Sequence, residues 1–244
     1  LERYRGHFYN WYDTQSLKPL PPIYISSVDS GNLAGHLLTL RQGLLALIDD
    51  PILSPRCFAG LGDTLDLLVD AAEGAIPASF APFQQTLASA TTAPPATLAA
   101  AQLCLDRLAT AAEAGVRGLA ANAGSEVSDW AQALARQCRE ALDEWLLLAP
   151  EIPPASAGFP DPAIPTLRQW AALDQSVSSR ACEQIAALER LALQAGELAQ
   201  MDYDFLFDEA RHLLAIGYNV SERRRDASYY DLLASEARLG SFVA

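Results

Sequence analysis

The chain has 244 residues, half of them hydrophobic, with 30 acidic side chains against 17 lysines and arginines and a net charge of -13. That length supports one large domain or two small ones with a sizeable core, and the hydrophobic content excludes a disordered chain. The charge argues against nucleic acid and anionic membrane surfaces as partners, and no apolar run approaches the roughly 18 residues of a transmembrane helix.

The chain opens Leu1-Glu2-Arg3-Tyr4, without a methionine or a signal peptide, and reads as a piece of something longer. Phe8, Tyr9, Trp11 and Tyr12 then fall within five positions, interleaved with Asn10 and followed by Asp13. Such a pattern suits an extended segment or a tight loop. Aromatic faces beside a carboxylate and an amide suit a sugar, the ring on flat apolar surface and the hydroxyls on hydrogen-bonding groups. An aromatic-rich core strand with a proline-stiffened exit is the plain alternative.

A helix follows, with Asp29 or Ser30 as its expected N-cap. Leu33, Leu37, Leu40, Leu44 and Leu47 alternate at four and three, an apolar stripe expected to bury one face. Asp49-Asp50-Pro51 stops it. Gly31 and Gly35 each cost about 1 kcal/mol against alanine in a helix. Either small residues pack there, or another backbone or a ligand comes close.

From Asp49 to Gln200 the chain is alanine-rich and strongly acidic, with 19 acidic against 8 basic residues between 45 and 200. Helices are predicted at 63–74 with Asp63 as cap, and at 79–90, 95–122, 126–149 and 166–200. Leu98, Leu105, Leu108 and Ala112 keep helical spacing, as do Trp130, Leu134, Cys138, Leu142 and Trp145, and both sets read as helix–helix core. The proline run from Pro150 to Pro165 reads as an extended connector. Cys57, Cys104, Cys138 and Cys182 lie too far apart for a metal motif, and Cys104, Cys138 and Cys182, in helical segments, read as buried free thiols, so no metal site and no cofactor are expected. No catalytic pattern stands out in this region.

After Met201 the pattern changes to two short strands around a turn within 205–220, or one helix through 208–216. Asp226-Ala227-Ser228 is expected to cap a last helix, Tyr229–Leu239, with Tyr229, Leu233 and Glu236 on one face and Asp231, Ser235 and Arg238 on another. A glutamate on an apolar face either has a raised pKa or pairs with an arginine, here Arg238 or Arg211.

Four blocks carry a resemblance: Gly-His-Phe-Tyr-Asn-Trp-Tyr-Asp-Thr (6–14), Val-Asp-Ser-Gly-Asn-Leu-Ala-Gly-His (28–36), Gly-Tyr-Asn-Val (217–220) and Asp-Ala-Ser-Tyr-Tyr-Asp-Leu-Leu-Ala-Ser-Glu-Ala-Arg-Leu (226–239). In this order they resemble the central glycoamylase-like region of cyclic β-1,2-glucan synthases, large bacterial inner-membrane proteins. The blocks cover about 1–48 and 202–244, and the acidic region 49–201 reads as a helical insertion.

The resemblance implies partial (α/α)6-toroid-type helices; with the helical periods of the long stretches and the inserted helical bundle, the expected fold is all-α with at most one short β-hairpin near 205–218. It implies transglycosylation, in which a linear β-1,2-glucan is cut and closed into a ring. The family's pattern continues past Ala244, so the isolated segment is expected to be inactive. β-1,2-Glucan and the remainder of the parent polypeptide are the implied partners, without nucleic acid or membrane insertion by this segment, at the cytoplasmic face of the inner membrane.

A retaining transfer needs two carboxyls about 5–5.5 Å apart. Glu236 is the expected acid/base, beside tyrosines and leucines that would raise its pKa, with Asp231 as second catalytic candidate. Asp13 and Asp29 are further carboxylates, and Asp29, near a helix N-terminus, suits sugar hydroxyls better than catalysis. Trp11, Tyr229 and Tyr230 are the stacking candidates. Tyr12, Asp13, Asp29, Asn32, His36, Tyr218 and Asn219 complete the expected substrate-binding set. A helical scaffold or interaction module without catalytic role is the alternative function.

Overall fold

A computed structural model describes residues 1–120, 124–148, 163–172, 176–231 and 235–244, except the side chains of 176–178 and 235–236. In chain order the elements are β1 (Arg3–Tyr4), β2 (His7–Phe8), β3 (Tyr24–Ser26), α1 (Ser27–Ala46), α2 (Pro55–Ala71), a 3₁₀ turn (Ala78–Phe80), α3 (Ala81–Thr92), α4 (Leu98–Arg117) and α5 (Ser125–Leu148). There follow α6 (Leu167–Ala171), α7 (Ser176–Ala199), β4 (Phe207–Asp208), β5 (Leu213–Leu214), β6 (Gly217–Asn219), β7 (Arg224–Arg225) and α8 (Ser235–Val243). The fold is mostly helical, as expected. The strands are short and antiparallel, and they form three hairpins among the described residues where one at most was expected.

Helix starts follow the capping oxygens. Ser54 caps α2 ahead of Pro55, Thr97 caps α4, and Thr166 and Gln169 close a reciprocal capping box on α6. Two expected starts move upstream. The cap of α1 is Ser26, whose Oγ accepts the Asp29 N–H at 3.2 Å, because β3 runs straight into the helix and leaves Ser26 extended. Asp63 lies inside α2, whose buried Phe58, Leu61, Leu65 and Leu68 carry one stripe from Pro55 onward.

Two expected helices change as well. The 166–200 prediction resolves into α6 and α7, with 173–175 outside the described residues. The last helix does not start at Tyr229, which pairs as an isolated bridge with Ala215 instead. Helix α8 runs from Ser235, and 232–234 lie outside the described residues.

The chain divides into two compact units, one of Leu1–Leu47 with Ala186–Ala244 and one of Ile48–Ile185. In the second unit α2, α3, α4 and α5 form a ring: α3 packs on α2 and α4, and α5 packs on α4 and back on α2. Phe58, Leu68, Phe80, Phe83, Leu105, Leu108 and Leu134 fill it, all almost wholly buried, so the predicted stripes of α4 and α5 face inward. The ends of this unit are tied together. Ile52 N–H donates to Pro165 C=O at 2.9 Å, and the Arg168 guanidinium forks onto the Asp49 carboxylate at 2.6 and 3.0 Å. All four cysteines are free; of the three expected buried, Cys138 is buried, Cys104 is half-buried and Cys182 is exposed on α7.

In the first unit α1 packs on α8, and β3, β6 and β7 form a three-stranded sheet in that order. The leucine stripe of α1 does not face this core: Leu33, Leu40 and Leu47 are 36, 53 and 49% exposed. Its buried side is Ser27, Val28, Ser30, Gly31 and Ala34. The reason is the close approach that Gly31 anticipated, since a Cβ there would collide with the backbone of Gly240 in α8. Short residues bring the two helix backbones together, and leucines on that face would hold them apart.

Candidate functional site

The first unit holds all four sequence blocks, and three polar constructions join them. The sheet comes first. Its register sets Ile25 opposite Tyr218 and Tyr218 opposite Arg225, with Ser26 opposite Gly217. The Tyr24 side chain crosses the sheet beside Gly217, where any Cβ would strike its ring, and donates its hydroxyl to Asp226 Oδ2 at 2.9 Å. Burial and the adjacent Asp226 carboxylate raise the Tyr24 pKa, so the phenol stays a donor. This contact holds the first residue of the 226–239 block.

The second construction is His7, whose side chain is fully buried. Its Nε2 lies 2.7 Å from the Asp202 carbonyl oxygen and its Nδ1 lies 2.9 Å from Ser30 Oγ. The carbonyl only accepts, so Nε2 carries the proton, and the neutral ring accepts the Ser30 hydroxyl at Nδ1. Burial lowers the His7 pKa and favours this neutral form. Tyr203 and Phe205 pack edge-on at 5.0 and 5.3 Å between centroids, and Tyr4 stacks on Tyr218 at 5.9 Å. One imidazole thus joins the 6–14 block, the first turns of α1 and the segment after α7.

The third construction centres on Asp208 in β4, with its side chain 8% exposed. Its Oδ1 accepts the N–H groups of Ala210 and Arg211 at 3.0 and 3.1 Å. Its Oδ2 accepts the Tyr229 hydroxyl at 2.5 Å and guanidinium N–H groups of Arg211 and Arg225 at 3.2 and 3.3 Å. The Tyr229 hydrogen bond, ahead of the backbone and arginine donors, holds the Asp208 pKa down at about 2. Arg225 also donates to the Phe207 carbonyl, and the Arg211 guanidinium lies 5.0 Å from the Tyr229 ring centroid. A carboxylate so ionised and so saturated with donors has no proton to give near neutral pH. Its chemistry is electrostatic.

The expected site residues all belong to this unit, and four of them are held by nearby chain. Asp13 Oδ1 accepts from Gln15 N–H, Ser16 N–H and Ser16 Oγ, which lowers its pKa and shapes its turn. Tyr12 donates to the Glu2 carbonyl at 2.6 Å, and Asn219 accepts the Glu222 N–H at 3.0 Å. His36 Nδ1 donates to the Asn32 carbonyl oxygen one turn before it at 2.6 Å, which joins two of the candidates directly. Trp11 is 49% exposed, Asp29 and Asp231 are exposed, and Tyr230 is half-buried beside Ser27, Val28 and Gly240. The Glu236 side chain lies outside the described residues. Arg211, a suggested partner for Glu236, pairs with Asp208.

Sequence reasoning missed Asp208, Tyr24, Asp226 and the central place of His7. Apart from the local partners Ala210, Arg211 and Ala227, their partners lie 17 to 202 residues away. The signal within reach was the Asp208–Arg211 pair in a turn, together with the run Arg223-Arg224-Arg225 that needs countercharge. Among the described residues no three His, Cys, Asp or Glu side chains are grouped to hold a metal ion, and no helix is long and apolar enough to cross a membrane.

No protein-family model matches the chain. Cyclic β-(1,2)-glucan synthase NdvB of Rhizobium meliloti (strain 1021) is 31% identical to it over 265 residues, in an alignment covering 100% of this chain. The chain spans 8% of that protein's length. The similarity extends beyond the four blocks, since it includes the acidic helical region between them. Along its whole length, therefore, the chain is similar to one segment of a cyclic β-(1,2)-glucan synthase.

Proposed function

We propose that this chain works within a cyclic β-1,2-glucan synthase, in the region that cuts linear β-1,2-glucan and closes it into a ring by transglycosylation. The whole-length similarity to NdvB carries this reading. The hydrogen bond His7–Ser30, which joins the 6–14 and 28–36 blocks, and the anchoring of the 226–239 block in the same unit by Tyr24–Asp226 and Asp208–Tyr229 support it. Residues 1–48 and 202–244 are then glycoamylase-like segments contributing to a toroid of helices, and 49–201 is a helical insertion with its own core.

In this reading Glu236 is the acid/base and Asp231 the second carboxyl, and the half-exposed Trp11 offers a ring for sugar stacking. Asp13 and Asp208 do not serve as the acid, because each is held ionised by its own donors. The remainder of the parent polypeptide, at the cytoplasmic face of the bacterial inner membrane, supplies the rest of the cleft, and the segment alone binds glucan without turning it over.

NMR titration of residues 1–244 with linear β-1,2-gluco-oligosaccharides tests the binding. The Trp11 indole signal should move with saturation, and cello-oligosaccharides of equal length should move it less. In the parent polypeptide Glu236→Gln should abolish ring closure. Absence of any saturable shift would leave the helical-scaffold reading, which the self-closed ring of α2 to α5 favours.

A further inference from the structure

We propose that Tyr229 and Arg211 form a subsite for sugar hydroxyls and that Asp208 is its positioning residue. This rests on the glucan-binding reading above. Three side chains from separate stretches converge on one carboxylate oxygen: Tyr229 at 2.5 Å, Arg211 at 3.2 Å and Arg225 at 3.3 Å. Asp208 itself is turned inward, whereas the Arg211 side chain is 61% exposed and Tyr229 is half-buried. The buried member of the cluster organises and the outer members meet solvent.

The chemistry fits a neutral polyol. The Tyr229 hydroxyl donates to Asp208 and its oxygen accepts one long contact from Arg211 Nη1 at 3.4 Å, which leaves one lone pair to accept from a sugar hydroxyl. Arg211 is a donor only, and its guanidinium is held over the Tyr229 ring at 5.0 Å from the centroid. An acceptor and a donor fixed side by side match the donor–acceptor pair of vicinal hydroxyls. The arginine covers one face of the ring, so Tyr229 meets sugar through its oxygen rather than by stacking on that face. An anionic ligand is the poorer match, because the Asp208 charge sits against both guanidiniums.

The loop is held rigidly enough for this. Ile216 N–H donates to Ser228 C=O at 3.0 Å, Tyr229 bridges Ala215, and Asp226 is anchored by Tyr24. What remains free to set is the direction of the phenol. Asp208 sets it.

The test uses residues 1–244 with ¹³Cζ-labelled tyrosine and a linear β-1,2-gluco-oligosaccharide. Asp208→Asn should displace the Tyr229 Cζ signal and weaken binding about tenfold, as for loss of one charge-assisted hydrogen bond. Tyr229→Phe should weaken it by a similar factor, and Asp208→Asn added to Tyr229→Phe should weaken it little further, because Asp208 acts through the phenol. The Tyr229→Phe arm keeps the test open if Asp208→Asn does not fold. An unmoved Cζ signal, unchanged binding in Tyr229→Phe, or fully additive losses would each overturn the subsite while leaving the glucan reading intact. No binding by the unaltered chain would overturn both.

Discussion

Replacing Gly31 by alanine probes the closest packing in the first unit. An alanine Cβ would lie 3.1 Å from Gly240 N and 3.5 Å from its carbonyl carbon, and closer still to its Cα. Carbon atoms pack comfortably at about 3.5–4.0 Å, so α1 and α8 would have to separate by roughly 1 Å. The obstacle is backbone, with no rotamer to turn away. Overpacking of this kind costs about 1–3 kcal/mol, against which alanine returns about 1 kcal/mol of helix propensity. The expected net loss is about 2 kcal/mol, the upper part of that difference, because two helices must move.

Gly43 is the internal control. It lies in the same helix, and a Cβ there meets nothing within 4 Å. Gly43→Ala should therefore stabilise α1 by up to about 1 kcal/mol. Hydrogen exchange resolved to α1 and α8 peptides reads both without assuming that the whole chain unfolds in one step. Gly31→Ala should speed exchange in both helices and Gly43→Ala should slow it in α1. The same sign for the two substitutions would refute the close α1–α8 crossing.

Two more expectations concern titration and reactivity. His7 has a folded-state pKa below its unfolded value, so the unfolded chain takes up the proton first as pH falls. Its contribution is fully present above about pH 6.5 and is lost as pH drops from there through the folded pKa. Urea midpoints measured from pH 8 to 5 should fall for the unaltered chain and flatten in His7→Gln; equal slopes would count against the buried neutral imidazole. Among the thiols, exposed Cys182 should react first with a thiol reagent and Cys138 last, since burial removes access and pushes the Cys138 pKa up to about 12. Equal native-state rates would contradict the α2–α5 core.

How far each feature was legible depended on the range of the interaction behind it. The stripes Leu105–Leu108–Ala112 and Leu134–Cys138–Leu142–Trp145 were readable because period, burial and propensity agree within one helix, and neighbouring helices in the ring cover them. The stripe of α1 was equally clear, yet much of it is exposed. Periodicity reports that a face is apolar and says nothing of what lies against it. The cap of α1 moved from Asp29 to Ser26 for a related reason: several side chains could accept the free N–H, and the pairing of β3 with β6 decided where extended chain ended.

By itself the sequence determined the helical character and, through four ordered blocks, the resemblance that the NdvB similarity supports, while at Gly31 it left packing, another backbone or a ligand open. Tertiary structure decided which residues answer one another. Gly31 meets Gly240, Tyr24 reaches Asp226 across 202 residues, and one carboxylate at Asp208 gathers Tyr229, Arg211 and Arg225. Capping and helical periodicity act over a few residues and leave their mark on local spacing. A hydrogen bond between distant residues has no spacing to leave, because its partner is chosen by how sheets and helices close in space.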